Sequence, residues 1–194
     1  MRRRIFIATG LSEELREKIT EAVKRWQWLP IRWVPPQNWH ITLVPPFYVT
    51  DQEFEAVRLL LLEEARKIHS FSIPFNSIEL APPGQEARMI WLFGAASEKL
   101  LELKRRFEER IVLEKSVGGF KKEERAVYPH ITLARFEEGG LAEIEKKTRI
   151  LEQLPLALEV SAIDIMESRL KITGAEYTLL DRISLLSNNK ASVL

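Results

Sequence analysis

One four-residue word, His-Ile-Thr-Leu, occurs twice in this chain of 194 residues, at positions 40–43 and again at 130–133. The chain has 3 histidines, so two of them open identical words. Ile, Thr and Leu suit a β-strand, where successive side chains point to opposite faces. His40 and Thr42 therefore share one face while Ile41 and Leu43 share the other, and His130 and Thr132 stand over Ile131 and Leu133 in the same way. Each strand buries two aliphatics and shows an imidazole and a hydroxyl on its opposite side. If the two strands lie side by side, two histidines and two threonines line one groove.

The surrounding pattern reads as a duplicated α+β unit. Residues 4–8 form a first strand closed by Gly10, and Ser12 caps a helix carrying Leu15, Ile19, Val23 and Trp26 at helical spacing. Ile31 to Val34 is a short strand. Pro45-Pro46 is expected to end the first histidine strand, since proline cannot donate to a ladder. Thr50 with Glu53 spells a capping box for a second helix, with a stripe of Phe54, Val57, Leu61, Ala65 and Ile68. Strands follow at 71–80 and 89–93, then a helix capped by Ser97 and striped by Leu100, Leu103, Phe107 and Ile111. The second histidine strand, a shorter helix (Leu141, Ile144, Leu151) and strands over 156–166 and 177–186 complete the order. Residues 187–194 are expected to be a loose tail.

Helix, histidine strand, helix, strand, strand thus occurs twice. Apolar alternation along Phe71, Ile73 and Phe75 steps by three to Ile78. Alternation along Leu156, Leu158 and Val160 steps by three to Ile163, which predicts a bulge at the same place in both halves. The expectation is a single bilobal domain over 1–194. Its two lobes are antiparallel sheets with flanking helices, related by an approximate two-fold axis, with the histidine strands flanking a central cleft.

Composition bounds the partners. A net charge of +1 supplies no global field for nucleic acid, so any RNA affinity must come from a local patch. The chain has no cysteine, which removes disulfides, thiolate metal sites and cysteine nucleophiles. The basic start, Arg2-Arg3-Arg4, precedes an apolar run too short for a signal peptide, and no segment approaches the ~20 apolar residues of a membrane span. A soluble cytoplasmic protein, monomeric and without membrane contact, is expected.

The chemistry these words permit is proton transfer at phosphate. A histidine titrates near ~6.5, so one imidazole can accept a proton while a second donates one. Phosphodiester hydrolysis needs both roles, on opposite sides of the phosphorus. Each threonine hydroxyl can donate to a non-bridging oxygen. Neither word has a nearby carboxylate to complete a usual metal set, so no metal and no cofactor are expected. The structural alternative is that each histidine is hydrogen-bonded inside the core, although packing does not require matching His and Thr on one face.

His40-Ile-Thr-Leu and His130-Ile-Thr-Leu-Ala-Arg resemble the paired His-x-Thr signatures of the 2H phosphoesterases. The chain is most similar to the bacterial and archaeal branch called 2′-5′ RNA ligase or RNA 2′,3′-cyclic phosphodiesterase. Trp39 before the first word, Tyr128-Pro129 before the second, Met166-Glu-Ser-Arg-Leu and Gly174-Ala-Glu-Tyr support the resemblance. The resemblance implies a bilobal fold and metal-independent hydrolysis of RNA ends or small nucleotides carrying a 2′,3′-cyclic phosphate, giving a 2′-phosphate. His40 and His130 would be the acid and the base, Thr42 and Thr132 would grip the phosphate, and Arg135 would add positive charge. By parity, however, Arg135 belongs with Ile131 and Leu133, so a regular strand aims it away from the groove.

Phe47 and Tyr128 are candidates for stacking a base, whereas Trp39 is expected in the core. The tryptophans at 26, 28, 33 and 91 read as core or lobe packing. Lys121, Lys122 and Arg125 alternate with Glu123 and Glu124, as a solvated loop does. His69 has no assigned catalytic role. Rival functions are a 2′-5′ RNA ligase using the same site in reverse, a cyclic phosphodiesterase for a small metabolite, and a non-catalytic RNA-end binding protein. A deep cleft without a basic rim would favour the metabolite.

Overall fold

Two antiparallel sheets organise the computed structural model, which describes residues 2–95, 97–118, 120–122, 128–137, 139–171 and 174–188. The first sheet contains β1 (Arg3–Gly10), β3 (His40–Val49), β8 (Ala162–Lys171) and β9 (Gly174–Ser184), in the order β3-β1-β8-β9. The second contains β2 (Arg32–Trp33), β4 (Phe71–Ala81), β5 (Met89–Gly94), β6 (His130–Arg135) and β7 (Leu151–Val160), in the order β2-β6-β5-β4-β7. Helices α1 (Glu13–Val23), α2 (Asp51–Ala65), α3 (Glu98–Leu113) and the short α4 (Gly140–Glu145) connect them. The fold is α+β.

The helix starts follow from local chemistry. Ser12 accepts from the Leu15 N–H and Ser97 from the Leu100 N–H, each satisfying one orphan donor of a first turn. Both halves of the Thr50–Glu53 capping box form. The Glu53 carboxylate accepts the backbone N–H of Thr50 and that of Gly118, and these bonds hold its pKa at about 2, well under its usual value. The stripe read along α3 is buried, with Leu100 at 2% exposure and Leu103, Phe107 and Ile111 at 0%. Side chains of that kind each contribute about 1.5–3 kcal/mol when fully buried. Residues of both sheets meet in one hydrophobic cluster, from Ile5 and Ile7 through Phe75 and Phe107 to Ile131 and Leu133.

Three expectations need correction. Pro45-Pro46 does not end the histidine strand, because β3 continues to Val49. It is the edge strand of its sheet, and its register against β1 shifts between Ile7↔Val44 and Ile5↔Phe47. A bulge on an edge strand is where a sheet tolerates proline.

The two steps of three have different causes. The first is a register shift at Phe75/Ser77 in β4. The second is a break at Ser161, where the chain leaves the five-stranded sheet as β7 and enters the four-stranded sheet as β8.

The lobes are also not the two halves of the sequence. One sheet combines strands from both ends of the chain, and the other is built from its middle. What repeats is a local unit in which a strand and a helix precede a histidine strand that pairs with that first strand. Gly10 lies opposite His40 and Ala8 opposite Thr42, while Phe93 lies opposite His130 and Trp91 opposite Thr132. The helix of each unit crosses to the other sheet: α1 lies against β7, and α3 against β3.

The chain beyond β9 is held as far as Asn188, whose Nδ2 donates to the Ser70 carbonyl at 2.6 Å, and the Ser70 N–H donates to Leu186. Residues 189–194 of the expected tail lie outside the described residues. Among the described residues no helix is long and apolar enough to cross a membrane.

Candidate active site

His40, Thr42, His130 and Thr132 all line one cleft of about 640 Å³ between the sheets. Strands β3 and β6 belong to different sheets and are not ladder partners, yet they approach each other at this cleft. Beneath them Ile41 and Leu43 are 2% and 1% exposed, and Ile131 and Leu133 are 0% exposed. The alternation of each word therefore divides core from cleft.

A matching irregularity sits inside both words. Between Trp91↔Thr132 and Ile90↔Ala134, β5 advances one residue while β6 advances two, leaving Leu133 as an extra residue. Between Ala8↔Thr42 and Ile7↔Val44, Leu43 is extra in the same way. A bulge re-aims the side chains that follow it. Here the parity of β6 reverses after Leu133, so Arg135 joins the face of His130 and Thr132 and lines the cleft. Regular parity would send it away. The Leu43 bulge is held by Lys104 of α3, which is 8% exposed and donates to the Leu43 carbonyl at 3.1 Å. The same ammonium is paired with Glu108, which is 1% exposed.

Each imidazole is fixed by its own strand and by aromatic neighbours. His40 Nδ1 lies 2.7 Å from the Asn38 carbonyl, and His130 Nδ1 lies 2.6 Å from the Tyr128 carbonyl. Both carbonyls require a proton on Nδ1, which leaves Nε2 as the nitrogen available to a ligand. The His130 ring stacks on Trp91, with centroids 3.6 Å apart and planes at 14°. His40 meets Phe6 at 5.0 Å in a tilted contact and Tyr177 edge-on at 5.3 Å. Burial is the main cause that lowers both histidine pKa values below the ordinary 6.5. Arg135 pushes both down further, and His40 does so for His130. The carbonyl bonds oppose these effects.

The cleft is cationic. Arg4, Arg32, Arg135 and Lys171 line it, and no Asp or Glu is among the described lining residues. Asp164 lies opposite Ala8, on the sheet face of His40, and acts on that imidazole without lining the cleft; it is engaged by Arg182 through Nε at 2.6 Å and Nη2 at 2.9 Å. Among the described residues no group of three or more His, Cys, Asp or Glu is arranged to hold a metal ion.

Other sequence candidates are placed elsewhere. Phe47 is 7% exposed and packs edge-on against Phe120 at 4.9 Å, and it does not line this cleft; the two register shifts of β3 cancel, so it keeps the core-facing parity of Ile41 and Leu43. The Tyr128 ring is 52% exposed and also outside the lining, and the part of Tyr128 that reaches the site is its carbonyl. Trp39 and Trp26 are buried as read, whereas Trp28 is exposed, with Nε1 donating to the Arg25 carbonyl. Lys122 reaches Glu109 at 3.6 Å, and Arg125 lies outside the described residues.

Sequence reasoning missed Arg4, Arg32, Lys171, Phe6 and Tyr177, and it read Trp91 as packing alone. For two of them a signal existed. Once β1 pairs with the first histidine strand, period two carries the face of Gly10 and Ala8 on to Phe6 and Arg4.

Comparison with known proteins agrees with this geometry. A family model described as LigT like Phosphoesterase matches residues 10–91. A Bacillus subtilis protein named RNA 2′,3′-cyclic phosphodiesterase is 30% identical over 131 residues, covering 67% of this chain and 69% of that one. The chain belongs to the LigT-like phosphoesterase family. A Thermotoga maritima protein of the same name is 27% identical over 182 residues, or 91% of this chain and 92% of its own. The crystal structure of a Thermus thermophilus protein, TT0787, shares the fold, with a TM-score of 0.78 at 24% identity over 95% of this chain and 99% of that one. In this LigT-like phosphoesterase the two histidine words, far apart in sequence, form one basic cleft with two tautomer-fixed imidazoles. Such a cleft can bind an anion between an acid and a base.

Proposed function

We propose that this chain hydrolyses the 2′,3′-cyclic phosphate end of RNA to a 2′-phosphomonoester by two-histidine acid–base catalysis without a metal ion. The observation that carries the reading is the pair of imidazoles, each with Nδ1 tied to a backbone carbonyl, facing one cationic cleft. Relatives named for this activity support it over most of the chain.

In this mechanism the cyclic phosphate lies between the two Nε2 atoms. One neutral imidazole takes a proton from water as the water oxygen bonds to phosphorus. The P–O3′ bond breaks in line, and the other imidazole, protonated, gives its proton to the departing O3′. The products are a 3′-hydroxyl and a 2′-phosphate. Thr42 and Thr132 donate to the non-bridging oxygens where negative charge develops, and Arg135 adds its field. Each proton transfer contributes typically ~10²–10⁴-fold.

The depressed histidine pKa values come chiefly from burial in the protein alone. A phosphate anion arriving between the rings favours the imidazolium form and supplies the acid. Lys171 is paired with Glu176 at 2.6 Å, and the remaining basic rim of Arg4, Arg32 and Arg135 favours a nucleic-acid end over a small metabolite in a neutral cleft.

The test is ³¹P NMR of an oligoribonucleotide bearing a 2′,3′-cyclic phosphate, incubated with the protein in excess chelator. Conversion of the cyclic signal to a 2′-phosphate is expected. Persistence of the cyclic phosphate, or release of a 3′-phosphate, would contradict the reading.

A further inference from the structure

Arg32 and Arg135 face each other across the β2–β6 ladder. Like charges directly opposite on a sheet destabilise it. Neither guanidinium has a carboxylate within ion-pair distance among the described residues. Arg135 instead donates to the Met89 sulfur at 3.0 Å, and Arg32 acts on it as a repelling charge. Such a pair is poised for an anion.

The two arginines are also a shared wall. On one side is the catalytic cleft, and on the other is a second cavity of about 490 Å³. Ile31, Phe136 and Ile144 give that cavity its apolar surface, and Lys147 stands on its lining. Glu137 and Glu143 line it too. Glu143 is paired with Lys146 at 2.9 Å, and carboxylates suit the amino edges of a base.

From this order of charges and surfaces we infer that the cavity is the subsite for the nucleotide 5′ to the cyclic phosphate, so that the substrate is an oligonucleotide. The inference rests on the proposed cyclic-phosphate activity. A cyclic phosphate is the 3′ end of its strand, so the chain can leave the cleft only through the 5′ oxygen of the same ribose. The next group along it is a phosphodiester, followed by a base. Arg32 and Arg135 meet the phosphodiester, and the base enters the cavity to stack on Phe136 and the aliphatic wall. The opposite exit, past Arg4, presents Arg2 and the exposed Tyr48, but most of its cations are engaged. There Arg3 is paired with Asp51 and Arg169 with Glu167, and Arg4 itself donates to the Ser168 hydroxyl.

The test compares kcat/KM for adenosine 2′,3′-cyclic phosphate with that for the dinucleotide ApA ending in the same cyclic phosphate. Wild type is expected to favour the dinucleotide by about tenfold or more, as stacking one base provides. Phe136→Ala and the exposed Lys147→Glu should each lower that ratio toward unity. Because the ratio cancels losses common to both substrates, partial misfolding of the Phe136 variant does not imitate the result. Equal kcat/KM for the two substrates in wild type would overturn the subsite and leave the catalytic reading standing. A preference unmoved by both variants would also overturn it and send the strand past Arg4. If neither substrate is cleaved, the catalytic reading fails and this inference fails with it.

Discussion

Lys104 offers a sharp energetic test of how the first histidine strand is held. Its ammonium is buried, donates to the carbonyl of the bulge residue Leu43, and is paired with Glu108, itself 1% exposed. Lys104→Met keeps most of the length of the side chain but removes its charge. It leaves a buried carboxylate with no counter-charge and a carbonyl with no donor. Breaking one side of a buried pair costs about 3–5 kcal/mol. At roughly 2–4 °C per kcal/mol for a domain of this size, the melting temperature should fall by roughly 6–20 °C. The double variant Lys104→Met/Glu108→Leu removes the stranded charge and leaves only the Leu43 carbonyl unpaired, a cost of about 1–3 kcal/mol. It should therefore be more stable than Lys104→Met alone. In that double variant kcat/KM should still fall at temperatures where the protein is fully folded, because the bulge that sets Thr42 has lost its prop. Thermal melts of the wild type, both single variants and the double complete the cycle. A Lys104→Met shift under about 2 °C, or a double variant as unstable as the single, would refute the reasoning.

Two further outcomes follow from the cleft. Arg135→Met should lower kcat/KM on a cyclic-phosphate substrate with little change in melting temperature, since its guanidinium faces the cleft and meets no carboxylate among the described residues; an unchanged kcat/KM, measured at low salt, would place its charge outside the reaction. The free-enzyme pH profile, read as kcat/KM, should peak on the acid side of 6.5, because burial depresses both histidines and catalysis needs one of them charged. The kcat profile should lie at higher pH, since bound phosphate raises both values. The same depression has a signed effect on stability. The unfolded chain binds protons from about 6.5 downward before the folded one does, so the histidine contribution lowers stability as pH falls through that window and vanishes above it. A kcat/KM still rising beyond pH 8 would contradict this assignment.

The parts legible in the sequence are those governed by neighbours in the chain. Ser12, Ser97 and the Thr50–Glu53 box act within one helical turn, and the two histidine words hold their cleft-and-core division over three residues. The rest depends on register between distant strands. Arg135 reaches the cleft only because Leu133 is an extra residue against β5, a relation invisible along β6 alone. Pro45-Pro46 continues a strand because β3 is a sheet edge, which is a property of topology. The step at Val160 to Ile163 looks like the bulge at Phe75 in the linear pattern, yet it marks a change of sheet. Phe6 follows from period two only once β1 is paired with β3, and Tyr177 and Trp91 come from two further strands, so their convergence on the two imidazoles had no local signature. Lys104 and Glu108 flank the buried stripe of α3, and only the contact of that helix with β3, a relation across the two sheets, makes them interior.

The most direct measurement is single-turnover hydrolysis of one RNA 2′,3′-cyclic phosphate in excess chelator by wild type, His40→Ala and His130→Ala. The account predicts 2′-phosphate release by the wild type and a loss of about 10²–10⁴-fold or more in each variant, with melting temperatures close to the wild type. Full activity in either variant, or activity in the wild type that chelation abolishes, would contradict metal-free catalysis by two histidines.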